Sequence, residues 1–62
     1  MLTAREAAVL RLAANGLTTR EIGSQVHLSE RAVKKVLEQV RSRFQLRNRT
    51  QAVAYALRKG LI

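Results

Sequence analysis

The stretch from Ser29 to Phe44, SERAVKKVLEQVRSRF, decides the fold that the sequence predicts. Its apolar residues recur at steps of three and four, which places them on one side of a helix of about fifteen residues. These residues are Val33, Val36, Leu37, Val40 and Phe44. Ser29 is a favourable N-cap, and Glu30 adds a negative charge at the positive end of the helix dipole. We therefore predict a long third helix with one buried apolar stripe.

Two shorter helices are predicted before this stretch. Thr3-Ala4-Arg5-Glu6 and Thr18-Thr19-Arg20-Glu21 each have the form of a capping box, in which a threonine and a later glutamate satisfy each other's backbone amides. The first helix is expected to end near Asn15, because Gly16 supplies a left-handed residue. The second is expected to be brief, at roughly 19–26, and to lead through a tight turn into the long helix.

A fourth helix is predicted after the long one. Asn48-Arg49-Thr50-Gln51 offers its capping signal, and Gly60 ends it. Its buried face is predicted to consist of Ala52, Val53, Ala56 and Leu57. Because every segment is helical and proline is absent, we predict an all-α fold, a four-helix, bundle-like helix-turn-helix arrangement. No linker interrupts residues 1–62, so a single domain is expected over that range.

The composition argues against catalysis, metal binding and membrane insertion. The chain has no cysteine and one histidine, His27, so neither a disulfide framework nor a zinc cluster is expected. Glu6 and Glu21 end capping signatures, which favours a structural role over acid–base catalysis. The longest apolar run is far shorter than the roughly 20 residues that cross a bilayer. We expect a non-enzymatic cytoplasmic domain with no cofactor, no membrane partner and no small-molecule ligand.

The charge of the chain points to an acidic partner. Twelve lysines and arginines stand against four glutamates, which gives a formal net charge of +8. Between Arg31 and Arg49 lie seven cations and one anion, Glu38. Solvated helix faces usually mix charges that can pair, whereas this segment offers Glu30 and Lys34 as its one well-oriented pair. The excess of positive charge therefore predicts a polyanionic partner for the third helix.

The order of the predicted helices suggests how such a partner is bound. A short helix, a tight turn and a longer basic helix form the layout by which helix-turn-helix proteins enter the major groove of DNA. Lysine can donate to guanine O6 and N7, and glutamate can accept from cytosine N4. We therefore predict base contacts from Lys34, Lys35 and Glu38 and a binding affinity that falls steeply with salt.

A further pattern of residues covers nearly the whole chain: Leu2-Thr3, Arg5-Glu6, Val9-Leu10, Gly16-Leu17, Glu21-Ile22, Leu28-Ser29-Glu30, Val33-Lys34 and Arg47-Asn48-Arg49-Thr50-Gln51-Ala52. In these residues the sequence resembles the LuxR (GerE/FixJ) family of helix-turn-helix domains. The resemblance implies a non-enzymatic, DNA-binding domain of a bacterial transcription regulator. It also implies that the third helix lies in the major groove and that the fourth forms a two-fold dimer contact.

The resemblance also assigns roles to individual residues. Ser29 would cap the recognition helix, and Lys34 and Lys35 would face the groove. Phosphate contacts are predicted for Thr19, Arg20, Ser29, Arg31, Arg41, Arg47 and Arg49. The dimer face is predicted at Gln51, Ala54, Tyr55 and Arg58. The expected partners are double-stranded DNA at the nucleoid and a second copy of the chain, with RNA polymerase as a further candidate.

At several positions the sequence departs from the family pattern. Ala32 stands where threonine is usual, Gly23 where alanine is common, and Val36 where histidine is frequent. Phe44-Gln45 replaces the usual leucine and glycine, and Glu38 is acidic at a position that can approach DNA. These changes bear on affinity and target sequence more than on the fold. The glycine is explained either by a close approach of the third helix or by a neutral substitution.

Two other functions are compatible with the residues. A protein-interaction module that assembles with or sequesters another regulator is suggested by Ala32 and Glu38, which weaken the expected DNA contacts. Attachment to an anionic membrane is disfavoured, because the apolar stripes lack the aromatic residues of such anchors.

The family module usually follows a receiver or ligand-sensing domain. Both an excised C-terminal domain and a complete small regulator fit the residues.

Overall fold

Four helices and no strand make up the chain in a computed structural model that describes residues 1–62. Helix α1 spans Ala4–Ala14, α2 spans Thr19–Val26, α3 spans Glu30–Arg43 and α4 spans Arg49–Arg58. The predicted all-α class is confirmed, and α2 covers the expected residues. None of these helices has the length and apolar character that crossing a membrane requires.

The predicted capping residues all begin their helices. Thr3 and Thr18 each accept a hydrogen bond from the backbone amide of the glutamate three residues later, at 3.1 and 3.2 Å. Both glutamates accept from the threonine amide in return, at 3.0 and 2.8 Å. Ser29 Oγ accepts from the Ala32 amide at 3.0 Å, and Asn48 Oδ1 accepts from the Gln51 amide at 2.9 Å. These local bonds fix where each helix starts.

The four helices also end alike, each on a left-handed residue. Gly16 and Gly60 have φ values of 89° and 67°, whereas His27 and Gln45 have 60° and 56° without being glycine. After each of these residues, the next backbone amide donates to a carbonyl five residues earlier, which is the Schellman pattern. At Gln45 this bond runs from Leu46 to the Arg41 carbonyl at 2.8 Å. Gln45, which stands where the resemblance implies glycine, thus adopts a left-handed conformation that favours glycine.

The turn between α2 and α3 explains Gly23. A Cβ atom built on this residue would overlap the carbonyl oxygen of Leu28, whose amide donates to the Gly23 carbonyl at 2.9 Å. The close approach therefore comes from the backbone of the turn, and not from α3 as one of the two explanations had it. A side chain here would force the turn open, so the glycine sets how closely the two helices approach.

Helix α3 supplies the centre of the hydrophobic core. The buried apolar cluster consists of Val9, Leu10, Ile22, Val33, Val36, Leu37, Val40, Ala52 and Ala56. The stripe predicted on α3 is thus confirmed, with Phe44 packed at its edge. On α4 the prediction was partly wrong, because Leu57 is 56% exposed and Val53 is half-buried. Successive residues are rotated by about 100°, so a helix that buries Ala52 and Ala56 turns Leu57 outward.

An ion pair between a buried glutamate and a partly exposed arginine joins α1 to the end of α3. Arg43 donates from Nη1 and Nη2 to the two carboxylate oxygens of Glu6 at 2.8 and 2.6 Å, and from Nη1 to the Met1 carbonyl at 3.1 Å. The Arg43 guanidinium lowers the pKa of Glu6 from 4.5 to about 2, against the opposing effect of burial, with help from the Thr3 amide. Glu6 is therefore a capping residue and an ion-pair partner, in agreement with the structural role predicted for it.

Candidate nucleic-acid interface

The interface predicted from the sequence lies on the outer side of α3. Its core stripe faces inward, and the opposite side carries Arg31, Lys34, Lys35, Glu38 and Gln39, all of them exposed. The turn from α2 to α3 consists of three residues, His27 to Ser29. Helix α2 packs on α3, and the outer side of the N-terminal half of α3 stays exposed. The two lysines predicted to contact bases thus point into solvent.

The three residues predicted to contact bases differ in their own partners. Lys35 has no ion-pair partner, and Lys34 Nζ lies 3.9 Å from Glu30 Oε2 with 66% of its side chain exposed. Glu38 is bound on both carboxylate oxygens by Arg41, which lies one turn along the helix. The hydrogen bonds from Arg41 lower the pKa of Glu38 below its ordinary value. The lysines are therefore free to donate, whereas the carboxylate already serves as an acceptor.

The five arginines predicted to contact phosphates fall into two groups. Arg20, Arg31 and Arg47 are exposed and make no side-chain hydrogen bond. Arg49 is half-buried and donates to the Leu17 carbonyl at 2.8 Å, and Arg41 donates to the Leu46 carbonyl at 2.7 Å. The second group therefore also holds the fold together.

The remaining two predicted phosphate contacts are hydroxyl groups at the starts of helices. Thr19 Oγ1 donates to Glu30 Oε2 at 2.7 Å, and Ser29 caps α3. An open cleft of about 250 Å³ separates the N-termini of α2 and α4 from the flank of α3. It is lined by Thr19, Lys34, Leu37, Glu38, Arg41 and Arg49. The structure thus gathers two of the predicted base-contacting residues and three of the predicted phosphate-contacting residues around one cleft.

The electrostatic state of this surface follows from the four glutamates. Glu6 pairs with Arg43, Glu21 closes the Thr18 cap, Glu30 contacts Thr19 and Lys34, and Glu38 pairs with Arg41. Every glutamate of the chain is therefore engaged internally. The pair between Glu38 and Arg41 was missed from the sequence, although its spacing of three residues on a helix is a signal for it. The remaining lysines and arginines leave a net positive charge, which favours binding to a polyanion.

The face of α4 predicted for dimerisation is only partly exposed. Gln51 accepts from the Arg47 amide at 2.7 Å, and Tyr55 packs on Phe44 with ring centroids 4.9 Å apart. Arg58 is exposed and Ala54 is half-buried. An apolar groove of about 270 Å³ lies beside this face, between α4 and the end of α1. It is lined by Ala13, Ala14, Arg49, Thr50, Val53, Ala54 and Leu57.

A short helix, a three-residue turn and a longer, exposed basic helix define a helix-turn-helix domain. The bacterial regulatory proteins of the luxR family match residues 1–56. The response regulator protein VraR of Staphylococcus aureus is 40% identical over all 62 residues, and so is VraR of Staphylococcus epidermidis. The solved response regulator ChrA of a heme-sensing two-component system is 34% identical over the whole chain, with a TM-score of 0.92.

These matches agree with one another and with the fold. The chain belongs to the LuxR family of bacterial regulatory proteins, and its helix-turn-helix is a DNA-binding domain for the regulation of transcription, not an enzyme. The resemblance stated from the sequence is thereby confirmed. The chain spans 30% of each VraR sequence and 31% of the ChrA chain.

Proposed function

We propose that this chain binds double-stranded DNA with sequence selectivity by placing α3 in the major groove, in the cytoplasm of a bacterium. The observation that carries the proposal is the exposed basic side of α3, with Lys35 unpaired and Lys34 mostly exposed. The major groove is about 12 Å wide and admits a helix. Lys34 and Lys35 then reach base edges, while Arg20, Arg31 and Arg47 contact the backbone on either side.

The same reasoning supports a two-fold dimer on DNA. A domain of this size contacts one half-site, so two copies bind a roughly palindromic site with higher affinity. Leu57 is an exposed apolar side chain on α4, and Val53 and Ala54 continue its surface into the groove beside α1. We place the contact on this part of α4, which shares Ala54 with the face predicted from the sequence. The alternative of a protein-interaction module is weakened, because Arg41 offsets the charge of Glu38.

The test reverses two charges on each of two surfaces. The double variant K34E/K35E lowers the net charge by four and is expected to abolish retardation of a duplex selected from a random pool. The control R5E/R11E makes the same change in net charge on α1 and is expected to retain specific binding. Circular dichroism checks that both variants stay helical.

Salt dependence adds a second measurement to this experiment. For the unmodified chain, the logarithm of the association constant should fall linearly with the logarithm of the salt concentration. The slope should be about −0.9 for each phosphate neutralised. K34E/K35E should show a shallower slope than R5E/R11E. Equal binding by the two double variants would contradict the assignment of α3 to the groove.

A further inference from the structure

One arginine of the predicted interface is held by three hydrogen bonds within the chain. Arg41 Nε donates to Glu38 Oε2 at 2.8 Å, and Nη2 donates to Glu38 Oε1. Nη1 donates to the Leu46 carbonyl at 2.7 Å, and the Leu46 amide donates back to the Arg41 carbonyl at 2.8 Å. The guanidinium is thus fixed between its own helix and the loop that leads to α4. It cannot turn to another acceptor without breaking these bonds.

The position of this ion pair matters for DNA binding. Glu38 and Arg41 line the cleft between α3 and the N-termini of α2 and α4, beside Lys34 and Arg49. The side chain of Glu38 is 61% exposed, whereas that of Arg41 is 30% exposed. In the proposed binding mode a backbone phosphate passes along this flank of α3. The pair therefore presents no net charge at a place where a free arginine would bind phosphate through two hydrogen bonds.

We infer that Glu38 is a positioning residue that limits the affinity for the DNA backbone by holding Arg41 away from phosphate. The inference rests on the proposed function and assigns Glu38 a role other than reading cytosine. Phosphate contacts add affinity for every sequence alike. Withholding one of them lowers binding to arbitrary duplexes and leaves the lysines of α3 to supply the contacts that depend on sequence. Replacing Glu38 by glutamine is expected to release the arginine.

The expected effect has a definite size. One additional phosphate contact steepens the dependence of log K on log salt by about 0.9. At a salt concentration of about 0.15 M, this slope corresponds to an increase in affinity of about five-fold. A purely structural role of Glu38 would change the melting temperature but would not steepen the salt dependence.

The experiment measures fluorescence anisotropy of a labelled random-sequence duplex at several salt concentrations. Glu38→Gln is compared with Glu21→Gln, which removes the same charge and keeps a glutamine able to accept from the Thr18 amide. We expect E38Q to bind several-fold more tightly than E21Q, with the steeper slope. In the Arg41→Gln background the same substitution at Glu38 should have no more effect than E21Q. If R41Q proves unstable, the comparison of E38Q with E21Q decides by itself.

Two results would overturn the inference while leaving the proposed function intact. One is an E38Q variant with the slope of E21Q. The other is a loss of affinity in E38Q that is confined to duplexes with a cytosine at one particular position. That result would show that the carboxylate contacts a base directly. If the unmodified chain fails to bind any duplex at low salt, the proposed function itself fails and the inference fails with it.

Discussion

Gln45 shows how a single residue can depart from a family pattern without changing the fold. Its φ of 56° lies in the left-handed region, where a residue with a side chain is less stable than glycine by about 1–2 kcal/mol. The substitution was visible in the sequence as a departure from the family's glycine. The conformation was not, because glutamine rarely adopts positive φ and a helix end is placed with an uncertainty of a few residues.

Gln45→Gly is expected to raise the free energy of unfolding by about 0.5–1 kcal/mol. The strain energy removed from the folded state is larger than the entropic cost of the more flexible glycine in the unfolded chain. Urea denaturation followed by circular dichroism measures the change. Gln25→Gly is the matched control, because it makes the same replacement inside α2 and should lower stability by about 1 kcal/mol. A loss of stability in Q45G equal to that of the control would contradict the prediction.

Among the helices, α4 is the one whose buried face the sequence predicted only in part, since Ala52 and Ala56 are buried and Leu57 is not. Its apolar residues Ala52, Val53, Ala56 and Leu57 span a broad sector, and small alanines give little signal about which edge is buried. The stripe of α3 is longer and made of larger residues, so its inward side was predicted correctly. The starts of the helices were also predictable, because a cap depends on residues that are close in sequence.

Leu57→Gln tests the role of the exposed part of α4. The side chain is 56% exposed, so its replacement should leave the stability of the monomer nearly unchanged. In the proposed dimer the same side chain would be buried, so a polar group there should lower the affinity for a duplex with two half-sites. Binding of the same variant to a single half-site serves as the control and should not change. Equal losses of affinity on both duplexes would show that Leu57 is not part of a dimer contact.

At the scale of the whole molecule, contacts between distant residues escaped the sequence analysis. Glu6 and Arg43 are separated by 37 positions, and Arg49 and the Leu17 carbonyl by 32. Both contacts use cations that were counted toward the partner-binding charge. No periodicity or cap marks such pairs, since they exist only once the helices are packed. The candidate site therefore stays a prediction, and the sequence analysis counted as free two cations that bind within the chain.

Glu6→Gln removes the charge that pairs with Arg43 and is expected to lower the free energy of unfolding by about 2 kcal/mol at neutral pH. The effect is not larger because solvent screens the partly exposed Arg43. The pKa of Glu6 is depressed in the folded state from 4.5 to about 2. Its contribution is therefore complete above pH 4.5 and is lost as the pH falls through about 2.

Denaturation curves at a series of pH values measure this dependence. The difference between the unmodified chain and E6Q should shrink steadily toward acid pH. Glu21→Gln removes a carboxylate that closes a cap without an arginine partner, so its effect on stability should be smaller. A difference between the unmodified chain and E6Q that stays constant from neutral to strongly acid pH would contradict the prediction.

The packing of Tyr55 on Phe44 gives the molecule a built-in optical probe. The chain contains one tyrosine and no tryptophan, so all of its tyrosine emission comes from the ring of Tyr55. That ring lies where α4 meets the end of α3, while α1 and α2 contain no fluorophore. Detachment of the last helix can therefore be followed separately from the melting of the first two, without attaching a dye.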